Sequence, residues 1–513
     1  MTLFVGRLGF ASDKLATKIT NQRPAVGEFQ YYQNGGFTIF WQNNLATQSV
    51  LPTDGSSTIF RLDISSSGGL SRNDRMPHFL SIQYDVIGRT LIVESDALGS
   101  IPFYYYRCDD EIVFANDHNL LFQESSLHPK LRPEAIIQYF TLGTILDNCS
   151  PWENIAFLPA DHILTLTART ASLSNKYSWS SPTSVSINDL LDRACDALRT
   201  ATLGFVETFH VDHAYLTGGA DTRLVFALLP QNLRQRFTFQ TVNVKGNDVS
   251  LDQDTALASR ITQYFAVKHL VTEKPPYKLT MSSLNPTKKI LPVLTGLLGG
   301  EFLGGDIYRK SPLMTSQDFI SNGLEFFRHD AKILSQEYIR QNKNAIGSPN
   351  ALQYLIQQTL RCHLSTIYGG VDQRWQTPND FFPYRLSPFK DIQFISVLTR
   401  IPVEEHINYR FYGNLYRRHF AEFIQFPCNS RLAYKNKGFV YSEEGTNSKI
   451  TQRQQINYFE YVQQKFCLDY WSSLDIFAED ALMQYFENST SDSFNVHWAN
   501  LLQWTDSHAI RVI

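Results

Sequence analysis

The chain is short of three things. No run of its 513 residues comes near the roughly 20 consecutive apolar positions that a membrane-spanning helix needs. Cysteine is sparse: Cys108, Cys149, Cys195, Cys362, Cys428 and Cys467 form no Cys-x-x-Cys and no His/Cys spacing of the zinc-binding kind. That argues against a disulfide framework and a structural zinc site, and reduced thiols in a cytoplasmic setting are expected. His210-x-x-His213 comes nearest to a ligand pair and reads as the entry to a strand. Charge of one sign is missing too. With 46 Lys and Arg against 49 Asp and Glu the net charge is −3, which leaves no basic excess for nucleic acid or an anionic membrane. Residues Met1 to Arg7 carry neither a basic leader nor an apolar stretch of signal length.

What is present is globular. Hydrophobic residues make up 43% and charged residues 19%, and the length has room for two or three domains. The 36 Phe and 25 Tyr are spread along the chain and read as core.

The most informative stretch runs from Tyr215 to Leu224, Tyr-Leu-Thr-Gly-Gly-Ala-Asp-Thr-Arg-Leu. A short apolar strand (His213 to Leu216) leads into two glycines, and an apolar-periodic run (Leu224, Val225, Ala227, Leu228) then reads as a helix. Glycine lets backbone approach an anion closely, and the first-turn N–H groups of a helix favour negative charge. Thr217 and Thr222 add hydroxyls, and Asp221 is suited to a cation that neutralises phosphates. No Gly-Lys-Ser/Thr follows, so this is not a Walker loop. The segment resembles the pyrophosphate loop, Ser-Gly-Gly-x-Asp-Ser, of the asparagine-synthetase-like ATP pyrophosphatases, with threonine for both serines.

Residues 1–180 alternate apolar-aromatic runs with turn signals. Phe37 to Trp41, Phe79 to Tyr84, Thr90 to Val93 and Phe103 to Tyr106 read as strands. Tyr84 to Tyr105, then Ile112 to Asp117, then Leu158 to Leu164 resemble, in order and spacing, the glutaminase-type domain of the same family. That resemblance implies an α+β, Ntn-type β-sandwich. The family's nucleophilic cysteine falls at Thr2, a far weaker nucleophile, and with Met1 in place the free amine of an N-terminal threonine is lacking. Residues 1–180 are therefore expected to be a degenerate class II glutamine amidotransferase-like domain.

From 181 onward strands and helices alternate, which argues for a parallel sheet covered on both faces. The expected elements are a helix over Ser184 to Thr200, a strand over Phe237 to Val242, a helix over Thr255 to Phe265, and strands over Val267 to Val271 and Ile290 to Thr295. Such sheets bind ligands beyond their strands' carboxyl ends. Five glycines lie within Gly296 to Gly305, which suggests close backbone approach to a ligand. This segment resembles the family's second signature, Thr-Gly-x-Gly-x-Asp-Glu-x-x-Gly-Gly. The magnesium-holding Asp of that signature falls at Gly300, leaving Glu301 and Asp306 nearby. The position that is Glu in asparagine synthetases and Tyr in β-lactam synthetases is Leu297. Beyond residue 311 the pattern is mostly helical, with a capped helix expected from Ser348-Pro349. Phe382 to Asp391 resembles the family's Arg-x-Pro-Phe-Leu-Asp segment. Ala433 to Phe439 resembles its Lys-x-Gly-Phe patch, with Asn436 at the usual lysine position and Lys435 and Lys437 on either side.

The resemblance implies two domains. Residues 1–180 form the first, and 181–513 a nucleotide-binding synthetase domain with an α/β core over 181–310. It implies ATP and Mg2+ as cofactors. Leu216, Thr217, Gly218, Gly219, Asp221, Thr222, Gln240 and Gly296 would bind the nucleotide, and Asp221 and Glu301 the metal. Lys437, with Lys435 in reserve, and Glu301 would act in catalysis. The implied reaction adenylates a small-molecule or peptide carboxylate and joins it to an amine with release of AMP and diphosphate. Intramolecular closure in natural-product biosynthesis, as in β-lactam synthetases or lasso-peptide cyclases, leads. An ammonia- or amine-dependent intermolecular ligase and a catalytically silent nucleotide-binding scaffold stay open, as do partner biosynthetic proteins and a homodimer.

Overall fold

The computed structural model describes residues 4–9, 29–34, 36–42, 46–52, 58–65, 79–96, 99, 101–108, 111–116, 121–122, 130–133, 135–137, 150, 152–167, 169–175, 185–244, 249–274, 289–304, 381–406, 409–441 and 478–480. Thr2, Asp306 and the helix expected from Ser348 lie outside them.

The first third folds as two antiparallel sheets because its short apolar runs have one buried face each. The strands are β1 (Phe4–Gly9), β2 (Phe29–Asn34), β3 (Phe37–Gln42), β4 (Ala46–Pro52), β5 (Thr58–Ser65) and β6 (Phe79–Asp85). They continue with β7 (Thr90–Ser95), β8 (Tyr104–Cys108), β9 (Glu111–Ala115), β10 (Ile155–Phe157), β11 (His162–Leu166) and β12 (Ala171–Asn175). One sheet has the order β10-β8-β9-β1-β3-β2, the other β12-β11-β7-β6-β5-β4. Phe37 of β3 stacks on Tyr84 of β6 with ring centroids 4.4 Å apart, joining the two sheets through their buried faces. The turn after β6 forms where Asp85 Oδ1 accepts from the Ile87 N–H at 3.0 Å.

The second region is built on a five-stranded parallel sheet. Its strands are β13 (His213–Tyr215), β14 (Thr238–Val244), β15 (Lys268–Lys274), β16 (Lys289–Leu294) and β17 (Phe381–Leu386), in the order β15-β14-β13-β16-β17. The strand order reverses direction at β13, and a ligand crevice is expected at such a switch point. The fifth strand lies in the part expected to be mostly helical.

Helix α1 (Ile187–Phe209) starts at Ser186, whose hydroxyl accepts from the Asp189 N–H at 3.1 Å. It stops at His210, which takes the left-handed conformation (φ 51°). It runs nine residues past the expected end because Ala201 and Phe205 continue its buried stripe. Burying each leucine on that stripe (Leu190, Leu191, Leu198) contributes roughly 2 kcal/mol. The further helices used below are α2 (Ala220–Leu228), α3 (Val249–Tyr264), α4 (Gly299–Leu303), α5 (Ile392–Leu398), α6 (Arg410–His419) and α7 (Arg431–Lys435), with single turns at Gln231–Arg234 and Val403–His406 between them. Helix α6 docks on α1 through Arg418, whose guanidinium grips Asp192 at 2.6 and 2.8 Å.

Candidate functional site

The loop between β13 and α2 is fixed first by its neighbours in the sheet. Leu216, fully buried, donates its N–H to Gln240 O at 3.0 Å, and its carbonyl accepts from the Thr241 hydroxyl at 2.6 Å. Thr241 in turn meets His269 Nε2 at 2.8 Å, and burial holds that imidazole below its ordinary pKa. The Gln240 side chain donates to Thr272 Oγ1 of β15 at 3.0 Å, so its amide N–H is engaged within the sheet.

The two hydroxyls close the turn. Thr217 N–H donates to Thr222 Oγ1 at 3.0 Å, the two hydroxyls lie 3.1 Å apart, and the Gly219 N–H reaches Thr217 Oγ1 at 3.2 Å. Arg223, buried in the first turn of α2, donates to the carbonyls of Gly218, Phe426 and Pro427 at 3.3, 2.9 and 2.7 Å. Its guanidinium ties the loop to the segment before α7.

The two glycines have different reasons. The Gly218 N–H donates to Asp254 Oδ1 of α3 at 2.9 Å. Asn429 donates its side-chain amide to the same oxygen at 2.7 Å and its backbone N–H to Gly218 O at 3.3 Å. A methyl group on Gly218 would meet Leu257 Cδ1 at 2.6 Å, Asp254 Oδ1 at 2.7 Å and Asn429 Nδ2 at 3.0 Å. Protein atoms therefore impose this glycine. Burial pushes the Asp254 carboxyl above its usual range, and the two N–H donors oppose that rise. Gly219 is less enclosed: a methyl there would meet a single atom, the Thr217 Oγ1, at 3.3 Å, close enough that the hydroxyl would have to give way slightly. Gly219 also occupies the N-cap of α2 and supplies no side-chain cap, so an anion placed there meets helix-end N–H groups.

Asp221 sits where three elements converge. Tyr412 of α6, fully buried, donates its hydroxyl to Asp221 Oδ1 at 2.9 Å. One turn on, the Tyr416 hydroxyl donates to Ala220 O at 2.7 Å. The third element is the turn between β16 and α4. A methyl on Gly299 would meet Asp221 Cγ at 2.8 Å, one on Gly296 would meet Asp221 Cβ at 2.8 Å, and one on Gly300 would meet Asp221 Oδ2 at 3.2 Å. The second glycine cluster was expected to admit a ligand; at these three positions it admits the first turn of α2. Leu298, buried in the left-handed region at φ 73°, makes the same turn at a conformational cost of about 1 kcal/mol. Ser387, after β17, pins the turn by donating its hydroxyl to Leu297 O at 2.6 Å. The Leu297 side chain packs against the core, and Glu301 stands in the first turn of α4.

The lysines lie further along. Lys435 ends α7 and Lys437 follows it, both exposed. Asn436 is tied by its amide to Tyr409 O and Leu432 O at 3.3 and 3.1 Å. Arg417 donates to Lys437 O at 2.9 Å and lies over the Phe439 ring. The basic turn is thereby fastened to α6, the helix whose tyrosines reach the loop.

Asp221, Thr222 and Gly296 are thus brought together with Thr217, Gly218 and Gly219. Sequence reasoning missed Tyr412, Tyr416, Asp254, Asn429 and Arg223. The i, i+4 spacing of the two tyrosines was the one available signal, and it reads equally as core.

A family model described as a glutamine amidotransferase domain matches residues 73–178. The match spans β6 to β12, and β1 to β5 complete both sheets outside it. No curated protein matches the chain. Residues 73–178 are thus similar to a glutamine amidotransferase domain in an antiparallel sandwich, and a parallel sheet with helices follows. Among the described residues no helix is long and apolar enough to cross a membrane.

Proposed function

We propose that the parallel-sheet region binds ATP and drives formation of an amide bond through an adenylated carboxylate, with AMP and diphosphate as products. One observation carries this: Gly219 caps α2 without a side chain, at the carboxyl end of the central strand and beside Asp221 and two hydroxyls. Its resemblance to a pyrophosphate loop supports the same reading.

In this reading the diphosphate leaves against Gly219 and the first turn of α2. Thr217 and Thr222 orient it, and Lys437 or Lys435 balances charge on the transferring phosphoryl group. Magnesium commonly reaches phosphate sites through one or two carboxylates and the phosphates themselves. Asp221 fits that pattern, while Gly300 offers no second carboxylate. Among the described residues no group of three or more His, Cys, Asp or Glu is placed to hold a metal by itself. When bound, the ion neutralises phosphate charge; the chain's part is to hold Asp221 and the loop in place.

The amine comes from the substrate itself or from a second metabolite, because Thr2 replaces the expected glutaminase cysteine. Intramolecular closure is the leading form. The residues at 297 and 300 favour a second reading, a relative that binds nucleotide without turnover. Pyrophosphate release from ATP and Mg2+ across a panel of carboxylates separates the two. Release dependent on one acid, abolished by Asp221→Ala, supports the synthetase. ATP binding with no release on any acid supports the silent relative, and no ATP binding sinks both.

A further inference from the structure

We infer that Tyr412 is a positioning residue, whose hydroxyl fixes Asp221 in the single orientation that meets a divalent cation carried by the nucleotide phosphates. The inference rests on the nucleotide reading above and adds to it a group outside both glycine turns. Two geometric observations converge on it. The Tyr412 ring is fully buried, and its hydroxyl donates to Asp221 Oδ1 at 2.9 Å across 191 positions of sequence. The carboxylate is also walled by Gly299, where an added methyl would stand 2.8 Å from both Cγ and the same Oδ1. A carboxylate closely packed at Gly299 and held by a rigid donor has little rotamer freedom left. A ligand so held binds without the cost of ordering it.

The fold supplies its own control. Tyr416 lies one turn along the same helix, equally buried, with its hydroxyl on Ala220 O at 2.7 Å. It supports the loop's backbone, and its hydroxyl meets Asp221 only indirectly, through its contact with the Tyr412 hydroxyl. Removing either hydroxyl deletes its own bond to α2 and the contact between the two hydroxyls, so both variants lose comparable stability, about 1 kcal/mol for each bond lost. Only Tyr412→Phe takes away the carboxylate's own donor.

The test is Mn2+ binding followed by electron paramagnetic resonance, with and without a non-hydrolysable ATP analogue, on the full chain. Tyr412→Phe should weaken nucleotide-dependent Mn2+ binding by about tenfold, the usual cost of losing a group behind a metal ligand. Tyr416→Phe should leave it within about twofold of wild type, consistent with an indirect contact. Equal losses in the two variants, or none in Tyr412→Phe, overturn the inference while leaving the nucleotide reading intact. A wild-type chain with no nucleotide-dependent Mn2+ signal overturns both. Should Tyr412→Phe fail to fold, 3-fluorotyrosine at 412 keeps the ring and changes the hydroxyl's donor strength. Mn2+ affinity must then move, and an unchanged value overturns the inference.

Discussion

The two glycine-bearing turns, one after β13 and one after β16, look alike as strings of letters and differ in what presses on them. In the first, Gly218 is hemmed in by Asp254, Leu257 and Asn429, while Gly219, at a helix end, has only the Thr217 hydroxyl close by. In the second, Gly296, Gly299 and Gly300 all face Asp221 or the backbone beside it. One turn offers a place for something that is not protein; the other exists so that the first can be where it is. A glycine cluster therefore says that something comes close, and only the packing says whether that something is a ligand.

Breaking the second turn should have the largest consequence. Gly299→Ala drives a methyl into the Asp221 carboxylate and should cost about 3 kcal/mol of stability in denaturant unfolding. A variant as stable as wild type would mean that the turn has slack. Acid should strain the same turn from behind. His406 is fully buried, donates through Nδ1 to Phe302 O of α4 at 3.0 Å, and is pushed down to about 4 by its burial. Since the folded value lies below the unfolded one, the unfolded chain takes the proton first. The contribution is intact above about pH 6.5 and drains away as pH falls towards 4, by about 2 kcal/mol at roughly pH 5. Unfolding curves at a series of pH values read this, and a His406→Gln chain should lack that part of the slope.

The first turn is sharpened by a gentler change. Gly219 has φ −75°, which alanine adopts freely. Gly219→Ala should keep stability within about 1 kcal/mol yet weaken ATP binding about tenfold, read by calorimetry. If stability fell and binding did not, the openness assigned to Gly219 would be wrong. The smallest effect belongs to the clasp. Asn429→Ala removes one donor from Asp254 and should cost about 1 kcal/mol, measured by thermal melting.

Much of the second region was legible because its strands are short apolar runs between helices. β13 to β16 fall within two or three residues of where periodicity puts them. β17 was not legible as a strand, since Pro383 interrupts its run; among the described residues it lies at the edge of the sheet, where a missing N–H is tolerated. In the sandwich, Phe37, Phe79 and Thr90 mark strands that formed where expected, whereas β4 and β12 carry too little apolar character to stand out. For the loop, residue types and order were readable. The partners that hold it were not, because Asp254, Tyr412 and Asn429 lie 36, 191 and more than 200 positions away and carry no pattern of their own.

That distance bears on how the molecule is made. β16 can pair with β17 only after the ribosome has added everything from 295 to 380. At roughly 5–20 residues per second the nascent sheet spends several seconds with a bare flank. The clasp and the tyrosine contacts come later still, when residues 412 to 429 emerge. A truncated product ending before them would hold the glycines, the threonines and Asp221 and still lack the hands that shape them.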